Sequence, residues 1–580
     1  MRKSIPALIA FVLFISLSML GLWSSALALD SGPEPGDIVS LGKAIFFDTD
    51  LSRPRGQSCA SCHDPAAGFA DPNHLAVSAG AIPSRVGNRN AQSISYAMFS
   101  PELYFDPTTT PAIPEGKYHG GLFWDGRANT LEDQAKQPFL NPLEMHNPNK
   151  ITVVQSVRRA EYAGLFKEVF GPFSLRDVEQ AYEYIAQALA DYMRSPEVNP
   201  FTSKYDYWKK GQAEYTESEL RGYQLFTGTG AKCFNCHSEP YFTNFGHQNL
   251  GTPRNPDLPY YFLPPSLNPD GVDYIDRGLG DYLRSAGYPE EQAVKEDGKF
   301  KIPSLRNCAL TAPYSHNGYH ETLRDLVVFN NTRDLPEANW PAPEVPETVH
   351  RHPMAMPGTL GRLGLNDQQI DDIVAFLHTL TDGYVPLPAG PADLAAVAVN
   401  ANQVDLTWTD NAVNEAGFRI ERATVIDEIP GPFAAIGTAD MDATTFSDGT
   451  VAPDTTYAYR VFAFNEAGDS LPADIAMVTT PLPLLAAPAD LAGVAVRIKG
   501  DPRNDKGTLT WTDNSDNETS FQVQCSLSTK FSNPMNFFTG PNRTSLTQVV
   551  SRQFDFYCRV RARNAVDNSA WSNVVFVTTP

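Results

Sequence analysis

Apolar residues recur at every third or fourth position over residues 175–192, the period of an amphipathic helix. The same period follows Asn366, a residue type that caps helix N-termini, through Ile370, Ile373, Val374, Phe376 and Leu377 to Leu380. Between such stretches, over residues 30–385, lie long segments rich in Pro, Gly and Asn. Loops of that length in a compact domain usually serve a site. From Pro386 to Pro580 the period changes to strand-like alternation, and the chain repeats itself. "LTWTDNAVNEAGFRIER" starts at Leu406 and "LTWTDNSDNETSFQVQC" at Leu509; "PADLAAVAV" starts at Pro391 and "PADLAGVAV" at Pro488.

Two units of about a hundred residues, with turn signals between short strands, predict two β-sandwiches. Trp408 and Trp511 are their expected core residues. "TTYAYRVFAFNEAG" and "FDFYCRVRARNAVDNSAW" supply a later strand with buried aromatics. Over their whole length these units, residues 386–482 and 483–580, resemble fibronectin type III domains. Cys525 and Cys558 fall on two of the strands, which leaves a disulfide open to them; spacing alone does not fix one.

The chain has 580 residues, enough for several domains. A net charge of −22 argues against nucleic acid as a partner and against an anionic membrane surface. It reads first as solubility, and an acidic face would also suit a small cationic donor. Arg2 and Lys3 precede an apolar run over residues 5–23, then Ala26-Leu27-Ala28 and Asp30. This is the pattern of a secretory signal, residues 1–28, rather than of a membrane anchor. No later segment has the apolar length to span a bilayer, so a periplasmic or extracellular protein is expected.

Four of the seven cysteines form Cys59-Ala60-Ser61-Cys62-His63 and Cys233-Phe234-Asn235-Cys236-His237. C-x-x-C-H is the attachment sequence of c-type haem. The two thiols add to the two vinyl groups of one haem, and the adjacent His reaches the iron from one face. A thioredoxin-like pair would not need the His and would want a βαβ setting; a zinc site would leave both His unexplained. Two covalently bound haems are therefore expected. Cys308 reads as a small buried apolar residue.

"LGKAIFFDTDLS", "NRNAQS", "FWDGRANTLEDQAKQPFLNPLEM", "IPSLRNCALTAPYSHNG" and "LGLNDQQIDDIVAFLHTLTDG" stand in order around the two haem motifs. Over residues 35–385 this set resembles the bacterial di-haem cytochrome c peroxidase and MauG superfamily. The resemblance implies two mainly α cytochrome c-like haem domains, residues 29–205 and 206–385, with the haems flanking their interface. The all-β units then follow. It makes His63 the proximal ligand of the peroxidatic haem and His237 that of the electron-transfer haem. Glu144 matches the family's catalytic glutamate, Gln134 the glutamine that positions the oxygen ligand, and Trp124 the tryptophan between the haems. Asn90, with the backbone carbonyls of Thr311 and Pro313, matches an inter-haem calcium site, and His316 a family histidine.

Two departures stand out. The stretch "SAGAIPSRVGNRN" has no His where the family's distal blocker falls, and His74 reads as a loop residue, so an open, five-coordinate peroxidatic haem is expected. Asn330 stands where the second haem's distal Met or Tyr belongs, which leaves open a five-coordinate iron, a bound water, or another side chain, with Met354, Met356, His320, His350 and His352 nearby in sequence. The leading expectation is reduction of hydrogen peroxide to water with electrons from a cytochrome or small copper protein. The alternatives are a MauG-like oxidase of a protein or organic substrate and a non-enzymatic electron carrier. The sandwiches carry no catalytic signature and are expected to bind a surface, a polysaccharide or a partner protein, or to act as spacers.

Overall fold

A computed structural model describes residues 35–108, 116–351 and 356–580. The signal-type segment and the candidate ligands His352 and Met354 lie outside the described residues. The chain divides into two compact units, Met1–Tyr384 and Val385–Pro580. Among the described residues, no helix is long and apolar enough to cross a membrane.

The first unit is mainly helical with long irregular connections, and it repeats one helix crossing. Helix α1 (Pro35–Phe47) packs on α2 (Val178–Met193), the element predicted over residues 175–192. Asp177 caps α2 by accepting from the Gln180 amide. Its inward stripe includes Ala181, Ile185, Ala188, Leu189 and Tyr192, all buried. The helices meet at Gly42, where a Cβ would lie 1.9 Å from the Ala188 carbonyl oxygen, so only glycine allows the contact.

Helix α3 (Glu217–Thr227) crosses α5 (Asp367–His378) in the same way. Gly222 there would place a Cβ 1.9 Å from the carbonyl oxygen of Asp372. Asn366 caps α5 as its position predicts, accepting from the Gln369 amide. Helix α4 (Leu323–Thr332) packs against α5. Each half thus has its own core, one around Leu41, Phe166 and Ile185, the other around Phe226, Phe242 and Phe376.

The second unit is all β. Its first repeat forms a three-stranded sheet from β1 (Ala392–Asn400), β2 (Gln403–Thr409) and β5 (Thr445–Asp448). The facing sheet contains β3 (Gly417–Ile426), β4 (Ala434–Asp440), β6 (Thr456–Asn465) and β7 (Ala476–Thr479). Strand β2 buries Val404, Leu406 and Trp408 in alternation, which is what its sequence pattern demands.

The second repeat has the same plan. It pairs Ala489–Arg497, Asn504–Thr512 and Ser545–Ser551 in one sheet, and Ser520–Ser526, Met535–Thr539, Phe556–Arg563 and Val575–Val577 in the other. Both sandwiches have the strand plan of fibronectin type III domains. Cys525 and Cys558 stand directly opposite each other on adjacent strands, Cα atoms 4.2 Å apart, and are disulfide-bonded.

Candidate functional site

Each C-x-x-C-H motif folds into a tight helical turn. Cys59–Ser61 and Cys233–Asn235 are single 3-10 turns. The amide of the following His bonds back to the first Cys carbonyl, at 3.0 Å for His63 and 2.9 Å for His237. In the first motif both thiols and the imidazole line one cavity; in the second the imidazole does. The four cysteines are not paired in disulfides, and burial pushes the Cys59 and Cys233 thiols up to about 12.

The histidines are oriented alike. His63 Nδ1 lies 3.2 Å from the Phe69 carbonyl oxygen, and His237 Nδ1 lies 2.9 Å from that of Phe242. A carbonyl only accepts, so Nδ1 must carry the proton, which leaves the Nε2 lone pair for a metal. Burial keeps both rings neutral, lowering His63 and bringing His237 down to about 4. Both rings face one cavity of about 410 Å³. Unpaired thiols, fixed tautomers and a shared cavity are what two covalently bound haems require, and these residues fit that group.

Glu144, Gln134, Trp124, Asn90, Thr311, Pro313 and His316 all line the same cavity. Glu144 is held by the Asn141 side-chain amide, which donates to its Oε1 at 2.7 Å. Burial pushes the Glu144 carboxyl above its ordinary range, against the opposing pull of Arg127 and Asn141. Such a group holds or releases a proton nearer neutral pH than an exposed carboxylate does. The Trp124 indole N–H donates to the Asn90 carbonyl at 2.9 Å. The Asn90 side-chain amide is placed 3.3 Å from the carbonyls of Leu75 and Ala76, and the Asn90 N–H donates to the His316 carbonyl at 2.7 Å.

Asn330 lies on α4, within the cavity wall. Its Nδ2 donates to the Leu326 carbonyl at 3.0 Å, while its Oδ1 is buried with no hydrogen-bond partner. Of the proposed replacement ligands, His320, His350 and Met356 are not among the residues lining the cavity. His320 is turned toward Asp325 and packs on Phe329 and Trp340. His74 is exposed, with Nδ1 3.1 Å from the Ala312 carbonyl oxygen, as a loop histidine should be. Cys308 is buried, and its thiol is pushed up to about 12.

Sequence reasoning missed the charged frame of the site. Arg89 grips Asp276 and also donates to Asp125 at 2.6 Å. The Asp276 amide donates to Glu344 Oε1 at 3.1 Å, and His316 Nε2 lies 3.3 Å from Glu344 Oε2. His316 stacks on Phe300 with ring centres 3.7 Å apart. Lys301, also on the cavity wall, is held down to about 8 by burial against the pull of Asp125. Arg89 and Asp125 sat inside quoted motifs, so their charge was a usable signal; Asp276 and Glu344 sat in none.

The model of the di-haem cytochrome c peroxidase family matches residues 37–214. Methylamine utilization protein MauG of Paracoccus denitrificans (strain Pd 1222) is 37% identical over 379 residues, 61% of this chain and 91% of that protein. The chain belongs to the di-haem cytochrome c peroxidase and MauG family. Cytochrome-c peroxidase IdrP1 of Denitromonas iodatirespirans is 30% identical over 60% of this chain and 82% of its own length. The crystal structure of the di-haem peroxidase BthA from Burkholderia thailandensis E264 has 33% identity and a TM-score of 0.52, covering 61% of this chain and 90% of that one. Each of these relatives matches about three fifths of this di-haem family member.

Proposed function

We propose that this family member is a di-haem peroxidase that reduces hydrogen peroxide to water with electrons from an external cytochrome or small copper protein. The observation that carries the reading is Glu144, a half-buried carboxyl pushed above its ordinary range by desolvation, on the cavity that His63 shares. A haem held by Cys59, Cys62 and His63 would supply the redox chemistry at that position. Reduction of one peroxide consumes two electrons and two protons and yields two waters. Glu144 takes the proton from one peroxide oxygen and returns it to the other, so that the departing oxygen leaves as water. Asn141 aims the carboxylate, and Gln134, on the same cavity, would help position the peroxide.

His237, Cys233 and Cys236 would hold the second haem, where electrons enter. Trp124 would carry them between the two sites. The proposal includes domain boundaries near residues 205, 385 and 482, and a calcium ion near Asn90 and the Thr311 and Pro313 carbonyls. It also includes a periplasmic or extracellular location, which a disulfide and c-type haem attachment both favour. Steady-state consumption of hydrogen peroxide by the holoprotein, with a reduced cytochrome as donor, tests the reading. A holoprotein with both haems and no peroxide turnover would overturn it.

Asn330 favours a second reading. A Met-ligated haem is a high-potential electron acceptor, and Asn offers no such ligation. A MauG-like oxidase, drawing electrons from a protein or organic substrate, would not depend on a Met-ligated haem fed by a cytochrome. Peroxide consumption that depends on such a substrate and proceeds without a cytochrome would favour this second reading.

A further inference from the structure

The first sandwich carries a second group of acids, far in sequence from the haem motifs. Asp410 follows β2, Glu415 precedes β3, and Asp442 lies in the turn between β4 and β5. One carboxylate oxygen from each falls within 4.8 Å of the others. Glu415 is only 5% exposed. Its Oε1 accepts from the Asp442 amide at 3.1 Å, but its Oε2 is buried with no hydrogen-bond partner. A buried carboxylate oxygen left without a donor is costly and rare, and an ion is one of the few partners that removes the cost.

The second sandwich supplies an internal comparison. Glu518 occupies the matching place, 7% exposed, with Oε1 accepting from the Asn542 amide at 2.8 Å and Oε2 again buried and unpartnered. There the turn residue is Asn542 rather than Asp442, and no third carboxylate joins the group among the described residues. The loop architecture is thus common to both repeats, while the three-acid cluster belongs to the first.

We propose that Asp410, Glu415 and Asp442 form a calcium site. All three ligands are hard oxygen donors, with no His or Cys among them, which selects calcium over transition metals. Ligand oxygens this close can share one ion at calcium–oxygen distances of about 2.3–2.6 Å. The ion supplies the missing partner of Glu415 Oε2 and ties the 410–416 loop to the turn after β4. Asp442 is exposed, so water completes the shell and the affinity is modest, on the order of 10⁻⁴–10⁻³ M.

Equilibrium dialysis of the full-length holoprotein against radioactive calcium gives the number of ions bound per chain. The Asp442→Asn and Glu415→Gln variants are each expected to bind one calcium fewer than the unsubstituted chain. Asp442 is at the surface, and Gln at 415 can still accept from the Asp442 amide, so both variants should fold. An unchanged haem spectrum and circular dichroism verify this. Any calcium between the haems is common to all three proteins and cancels in the comparison. Equal calcium binding by all three would overturn the proposal.

Discussion

Arg89 holds Asp276 through two parallel hydrogen bonds, Nε to Oδ2 at 2.6 Å and Nη2 to Oδ1 at 2.7 Å. The pair joins the segment after the first haem motif to the segment after the second, and Asp125 takes a further bond from the same guanidinium. All three groups are buried or nearly so. Removing this buried cation strips Asp276 of its ion-pair partner and leaves Asp125 with Arg127 alone.

Arg89→Met is therefore expected to destabilise the helical unit by about 3–5 kcal/mol, read by chemical denaturation at neutral pH. The acid response follows from the same charges. Burial raises both carboxyls, but Arg89, joined by Arg127 at Asp125, more than offsets it, so Asp125 and Asp276 titrate below their unfolded value. Groups of that kind stabilise at pH above the unfolded pKa, about 3.9, and the contribution is lost as pH falls through the folded values. Stability should decline below about pH 4 in the parent chain, and less steeply in Arg89→Met. Parallel acid-unfolding curves would contradict this.

Glu144→Gln keeps the shape of the side chain and removes its proton chemistry. Peroxide turnover should fall by about 10²–10⁴-fold while both haems remain attached and their spectra unchanged. In the parent chain the acidic limb of the pH–rate profile should lie above the ordinary carboxylate range, because burial raises the Glu144 carboxyl and the proposed mechanism uses its base form. Turnover unaffected by the substitution would remove Glu144 from the mechanism.

Asn330→Met places a thioether where an unpartnered amide oxygen faces the cavity wall. The second haem should become low-spin and rise in potential, because Met is a true axial ligand. A redox titration followed by electron paramagnetic resonance measures both. A parent protein already low-spin at this haem would mean that another side chain fills the position.

The cross-strand disulfide closes a loop of 33 residues in the second sandwich. Cys525→Ser with Cys558→Ser should cost that domain about 2–4 kcal/mol, seen as an earlier thermal transition with the haem spectrum intact. Coincident melting of both proteins would show that the bond contributes little.

What the sequence made legible follows how local each feature is. The haem motifs are single turns, so Cys59 to His63 and Cys233 to His237 could be read directly. The period of residues 175–192 and the Asn366 cap marked two helices to within a few residues, and the doubled "LTWTD" phrase marked two sandwiches. Glu144, Gln134 and Trp124 were reached through motif resemblance alone, and the fold brings them onto one cavity. The Arg89, Asp276 and Glu344 chain was not legible, because its members are distant in sequence and only the folded chain makes them neighbours. The same holds for Gly42 and Gly222, whose need for glycine appears only when a second helix crosses them.

Trp124 donates its indole proton to the Asn90 backbone carbonyl, and an amide oxygen is far too weak a base to remove it. An electron drawn from this ring would leave a positive hole with its N–H bond intact, and the refilling electron would restore the ring with no proton to recover. In the proposed mechanism, charge passing through Trp124 would therefore be uncoupled from the solvent's acidity, and the proton traffic would fall to Glu144. Inter-haem transfer rates should be flat with pH and nearly equal in light and heavy water, whereas peroxide cleavage should depend on both. A large solvent isotope effect on the inter-haem step would show that this separation of electron and proton does not hold.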